Sequence, residues 1–137
     1  MQVYFLCTGN SARSQMAEGF ARQLFPDWTI ASAGIEQHGL NPLAVQVMAE
    51  KAVDISAHTS DLIDLTYFNS SNLIITLCGD ARDKCPFVPP YMASLHWDLP
   101  DPAQAVGNED AQLAVFREVR DDIFARLQEL KVSYANN

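Results

Sequence analysis

Residues 2–25 read QVYFLCTGNSARSQMAEGFARQLF, and this stretch decides the fold. Gln2 to Leu6 is a short run of β-forming residues, with Val3, Tyr4, Phe5 and Leu6 in succession, as a buried strand requires. A polar loop follows at once, Cys7-Thr8-Gly9-Asn10-Ser11-Ala12-Arg13-Ser14. Met16, Ala17, Phe20, Ala21 and Leu24 then recur at helical spacing until Pro26 stops the helix. Strand, tight loop and helix in that order form the opening unit of a parallel α/β sheet.

The pattern repeats outward from there. Trp28 to Ala33 reads as a second strand closed by Gly34. Asn41-Pro42 is a helix start, an N-cap followed by proline at the first helical position, and Leu43, Ala44, Val47 and Met48 supply that helix's apolar face. Asn72 to Leu77 (NLIITL) is a continuous apolar run, suited to a parallel strand covered on both faces. Ser94 to Trp97 is a weaker fourth strand. From about Asp110, residues Leu113, Phe116, Val119, Ile123, Leu127 and Leu130 step by three and four along a closing helix. The expectation is one α/β domain over residues 1–137, a four-stranded parallel sheet between layers of helices. The Pro- and Gly-containing stretch from Pro86 to Pro102 reads as a loop region inside it, and Trp28 and Trp97 as packing residues.

Composition narrows the function classes. The 137 residues are 48% hydrophobic and 19% charged, enough for a packed core and unlike a disordered chain. A net charge of −8 sets a repulsive field against polyanions, so nucleic acid is not an expected partner. No apolar run reaches the ~18–20 residues that cross a bilayer, and the opening MQVYFLCTGN lacks a basic leader, so no membrane partner and a cytoplasmic location are expected. Three cysteines are too few for a disulfide scaffold and read as reduced thiols.

The loop after the first strand carries the chemistry. A strand running into a helix N-terminus turns backbone N–H groups toward a concave site, and their partial positive charge suits a phosphate-like anion. The candidate anion-binding residues are Thr8, Gly9, Asn10, Ser11, Ala12 and Arg13, with Gly9 allowing close approach. Arg13 can wrap back and hold two oxygens of a bound oxyanion. The same field favours the thiolate of Cys7, and in-line attack by sulfur on the held anion is what such a loop performs. The bland alternative is a core cysteine beside a surface arginine, and it leaves the strand–loop–helix context unexplained.

The other two thiols sit together farther on. Cys78 ends the NLIITL run as Cys7 ends the first strand; if the two strands are neighbours, their ends lie ~4.8 Å apart laterally, within reach of a disulfide. A phosphatase needs no second thiol there, whereas a reductase does. Were Gly79 to Lys84 helical, Cys78 and Cys85 would be ~10 Å apart along the axis, too far to join without unwinding. The expectation is a segment helical when reduced and looped out when the two are bonded. A zinc site on Cys78, Cys85 and a histidine would lack a fourth cysteine and the usual spacing.

Five stretches, CTGNSARSQMAEGF (7–20), SAGIEQHGLNP (32–42), DISAHTSDLID (54–64), TLCGDARDKCPFVPP (76–90) and HWDLPDPA (96–103), resemble the thioredoxin-coupled arsenate reductases built on the low-molecular-weight protein tyrosine phosphatase fold. The phosphatases share the anion loop and the Asp-Pro but typically lack counterparts of Cys78 and Cys85. The resemblance implies that Cys7 attacks arsenate held by the loop and Arg13, that Ser14 stabilises the thiolate, and that Asp101 is the general acid. It further implies an intermediate Cys7–Cys78 disulfide, then a Cys78–Cys85 disulfide reduced by thioredoxin, with arsenite released and a monomer needing no organic cofactor. In some relatives a potassium ion sits behind the loop, at positions matching Asn10, Ser32, Thr59 and Asp61. Ala12 stands where several members carry another cysteine, one without a part in that relay. The competing function is a low-molecular-weight protein tyrosine phosphatase, in which water ends the cycle. His58 is a candidate support for the loop, and Glu18 reads as a solvated helix residue.

Overall fold

In the computed structural model, which describes residues 1–79 and 83–135, the central strand is β1 (Gln2–Cys7), paired on both sides. Its chain neighbours are α1 (Arg13–Leu24), β2 (Thr29–Gly34) and α2 (Pro42–Ala49). There follow α3 (Leu65–Ser70), β3 (Leu73–Thr76), β4 (Ser94–His96), a 3-10 turn at Pro102–Gln104, and α4 (Glu109–Ala135). The sheet runs β2-β1-β3-β4 and every pairing is parallel, as the alternation of strands and helices predicts. Leu6 stands opposite Thr76, and Leu77 N–H donates to Leu6 O at 2.9 Å, so Cys7 and Cys78 both lie at the carboxyl edge of adjacent strands.

The pleat of β1 divides the interior in two. Val3 and Phe5 face one core, shared with Met16 and Phe20 of α1, Val47 of α2, and Phe116, Ile123 and Leu127 of α4. Tyr4 and Leu6 face the other, shared with Phe68 of α3 and with Ile74. This is the three-layer α/β arrangement, and it explains why all four residues of β3 are buried. Each apolar position expected along the last helix, from Leu113 to Leu130, is buried. Trp97 packs near Phe5, and Trp28 stacks on Phe25 with ring centroids 3.9 Å apart.

The helix α3 has no counterpart in the sequence reading. It spans six residues and buries only Phe68, too little for a periodic signal; the Asp64 carboxylate starts it by accepting from the Thr66 and Tyr67 N–H groups. The proposed redox helix over Gly79–Lys84 includes residues 80–82, outside the described residues; Gly79, Asp83 and Lys84 belong to no helix or strand. Among the described residues no helix is long and apolar enough to cross a membrane.

Candidate active site

The loop from Thr8 to Ala12 carries β1 into α1, and among the described residues no side chain caps the N-terminus of that helix, which leaves its first amides for a ligand. Cys7, Thr8, Gly9, Ser11, Ala12, Arg13 and Asp101 line one cavity of about 210 Å³. The loop is held from behind. Asn10 donates through Nδ2 to Ser14 Oγ at 2.8 Å and to Ser32 Oγ at 2.9 Å. Its Oδ1 accepts from Gln15 Nε2 and from the Asp61 N–H. Gln15 is steadied in turn by His58, whose Nδ1 lies 3.0 Å from Gln15 Oε1, so His58 supports the loop through Gln15. Gly34 is required here because a Cβ would meet Thr8 O at 2.7 Å and Asn10 N at 2.8 Å, both backbone. At Gly9 a Cβ would collide with the His38 ring, so that glycine makes room for a neighbouring side chain.

Cys7 is buried, and its Sγ lies 2.9 Å from Ser14 Oγ. Because that hydroxyl oxygen already accepts from Asn10, its own hydrogen is available to the sulfur, the direction that stabilises a thiolate. Arg13 does curl back over the loop, yet its guanidinium holds Asp83: Nη1 donates to Oδ2 at 2.6 Å and Nη2 to Oδ1 at 2.7 Å. Burial works against the arginine charge, but the hydrogen bonds to Asp83 and the nearness of Cys7 and Asp101 outweigh it and push Arg13 above its ordinary value. The Oδ1 of Asp101 accepts from the Ala103 N–H and starts the 3-10 turn, while Oδ2 lies 3.8 Å from Arg13 Nη2.

Of the remaining thiols, Cys78 is buried and Cys85 exposed, and no two of the three cysteines are bonded. Burial pushes the Cys78 thiol well above the ordinary range, and the influence of Cys85 and of the Asp83 charge adds to the effect.

Asn10, Ser32, Thr59 and Asp61, the expected cation ligands, do gather behind the loop. Their hydrogen bonds do not fit a cation: Asn10 turns its amide hydrogens, not its oxygen, toward Ser32, and Thr59 Oγ1 donates to the Asp61 carboxylate. Ser32 Oγ donates to Glu18 Oε1 at 2.7 Å, and the Glu18 charge is met by Arg22 at 3.1 Å with His58 nearby at 3.5 Å. Glu18 is therefore a buried anchor rather than a solvated residue. Among the described residues no group of three His, Cys, Asp or Glu side chains could hold a metal. Sequence reasoning missed Asp83 and misread Glu18, because Arg13 and Ser32, the partners that fix them, lie on other elements.

A buried cysteine at the end of a central parallel strand, a loop into a helix N-terminus and an arginine at the start of that helix define a class. The chain belongs to the low molecular weight phosphotyrosine protein phosphatase family, whose model matches residues 2–137. Within that family it is 56% identical over 128 residues to the arsenate reductase of Bacillus subtilis (strain 168), covering 93% of this chain and 92% of that one. A solved arsenate reductase in the phosphate binding state is 34% identical with a TM-score of 0.76, covering 96% of this chain and 97% of that one. A thioredoxin-dependent arsenate reductase of Corynebacterium glutamicum is 26% identical with a TM-score of 0.67, covering 96% of this chain and 62% of that one.

Proposed function

We propose that the protein reduces arsenate to arsenite through Cys7, Cys78 and Cys85, with thioredoxin as the reductant. The observation that carries this reading is the placement of Cys78 at the carboxyl edge of the strand beside Cys7, with Leu77 paired to Leu6 just before it and an exposed third thiol, Cys85, seven residues on. A phosphatase that uses Cys7, Arg13 and Asp101 would leave both of the other thiols without a part.

Arsenate enters the loop, where the amides and Arg13 hold its oxygens and Cys7 lies in line behind the arsenic. The Cys7 thiolate forms a sulfur–arsenic bond while Asp101 protonates the departing oxygen, which leaves as water. Cys78 loses its proton and attacks Cys7 Sγ; the electron pair of the sulfur–arsenic bond passes to arsenic, which leaves as arsenite. Burial, which pushes the Cys78 thiol up, favours its protonated form in the resting protein. Cys85 then attacks Cys78, releasing the Cys7 thiolate and leaving a Cys78–Cys85 disulfide with one exposed end. A thioredoxin dithiol reduces that bond and supplies the two electrons. No step passes through a metal or an organic cofactor. The thioredoxin assignment follows the similarity to the Corynebacterium glutamicum enzyme.

The test is arsenite formation with thioredoxin, thioredoxin reductase and NADPH. Wild type is expected to turn over, and Cys7→Ser, Cys78→Ser and Cys85→Ser each to lose turnover. Sustained arsenite production by Cys78→Ser would overturn the relay, and hydrolysis of aryl phosphates without arsenite formation would favour the phosphatase.

A further inference from the structure

The guanidinium of Arg13 is already occupied by an anion from its own chain. Asp83 takes both prongs, at 2.6 and 2.7 Å, in the two-point geometry by which arginine holds carboxylates and phosphates alike. The same carboxylate accepts from Thr8 Oγ1 at 2.9 Å and from the Gly79 N–H at 2.9 Å. Donors from the anion loop, from α1 and from the segment that follows β3 thus converge on one carboxylate whose side chain is only 6% exposed. Exposed ion pairs are common and say little, but a buried carboxylate with at least four donors sits in a built anion site.

We propose that Asp83 is an internal competitor for the oxyanion seat, so that a tetrahedral oxyanion binds by displacing its carboxylate from Arg13. This rests on the reading above only in placing the oxyanion at Arg13. Two anions cannot take the same pair of N–H groups, so an oxyanion held by Nη1 and Nη2 binds in proportion to the fraction of molecules in which Asp83 has left them. A seat open about one-tenth of the time weakens apparent affinity about tenfold. The coupling is reciprocal: whatever factor Asp83 takes from oxyanion affinity, a bound oxyanion takes from the grip of Asp83 on Thr8 and Gly79. Gly79 directly follows Cys78, and the Lys84 N–H is tied to Thr8 Oγ1 at 3.0 Å. Oxyanion binding and the tethers flanking the second and third thiols are therefore two sides of one equilibrium.

The experiment titrates inorganic phosphate into the full-length reduced protein, in wild type, Asp83→Asn and Asp83→Ala. Both variants are expected to bind phosphate about tenfold more tightly and to show a correspondingly lower KM for arsenate, while Asp83→Glu stays closer to wild type. Unchanged or weaker phosphate binding in the folded Asn variant, which keeps the side chain's shape, would overturn the proposal. A wild-type measurement stands beside it should a variant not fold. Amide exchange at Gly79 and Lys84 is expected to speed up as phosphate is added, and equal or slower exchange would overturn it as well. Phosphate binding and amide exchange need no turnover, so a failure to form arsenite would sink the reductase reading and leave this one standing.

Discussion

Asn10 sits at φ 48°, in the left-handed region that asparagine tolerates better than most side chains, and both ends of its amide are used. It aims Ser14 at Cys7, joins the loop to Ser32 of β2, and takes the Asp61 N–H, which ties three stretches of chain to one residue. Asn10→Ala leaves several of those buried groups without partners at ~1–3 kcal/mol each, so a loss of at least ~3 kcal/mol is expected in urea unfolding. A loss below ~1 kcal/mol would show that water replaces the amide without cost. Ser14→Ala removes the hydroxyl 2.9 Å from Cys7 Sγ, and a hydrogen bond to a charged group is worth about 1.5–3 kcal/mol. The expected result is a fall in arsenate kcat/KM of about tenfold or more, since each 1.36 kcal/mol is a factor of ten. An unchanged value would deny Ser14 its part. Cys7 and Arg13 were legible at this scale because their relation is local, five residues of loop between a strand and a helix. Asp83 was not, because its partner Arg13 lies 70 positions away and nothing local marks the pair.

Between elements, α2 and α4 are clamped by charge. Glu50 closes α2, and Arg117 and Arg120 of α4 hold its carboxylate, each with a contact of 2.8 Å; Arg120 also donates to Val47 O at 2.9 Å. Hydrogen bonds from Arg117 and then Arg120 pull the Glu50 carboxyl from 4.5 down to about 2. A carboxylate depressed in the folded state stabilises it above the ordinary value and loses that contribution as pH falls through the folded one. The melting-temperature gap between wild type and Glu50→Gln is therefore expected to be full near neutral pH and to close between about 4.5 and about 2. A gap of the same size at both ends of that range would refute the clamp. Long elements were legible because many apolar positions report on one face, as along α4. The short α3 was not, since one buried Phe68 makes no period and its start depends on a single capping carboxylate.

Over the whole molecule, α4 seals the core on one face of the sheet. Phe116 and Ile123 are essentially inaccessible there, beside Phe5 and Met16. Truncating a buried phenylalanine removes its transfer energy and leaves a cavity, so Phe116→Ala is expected to cost about 3–5 kcal/mol in urea unfolding. A cost under ~1 kcal/mol would mean that α4 is not integral to the core. What the chain determined by itself is whatever is written in neighbouring residues: the strands, the amphipathic helices, the amide-lined loop with Cys7 and Arg13, and the parallel sheet that their alternation demands. Hydrophobic periodicity and loop chemistry are local properties, so they survive in one dimension. The tertiary structure alone decided which charge meets which. Only folding brings Asp83 onto Arg13, buries Glu18 against Ser32, and turns the Asn10 amide hydrogens toward the place a cation was expected. Pairings of that kind depend on distances between residues far apart in the chain, and these distances exist only once the sheet and its helices have closed on each other.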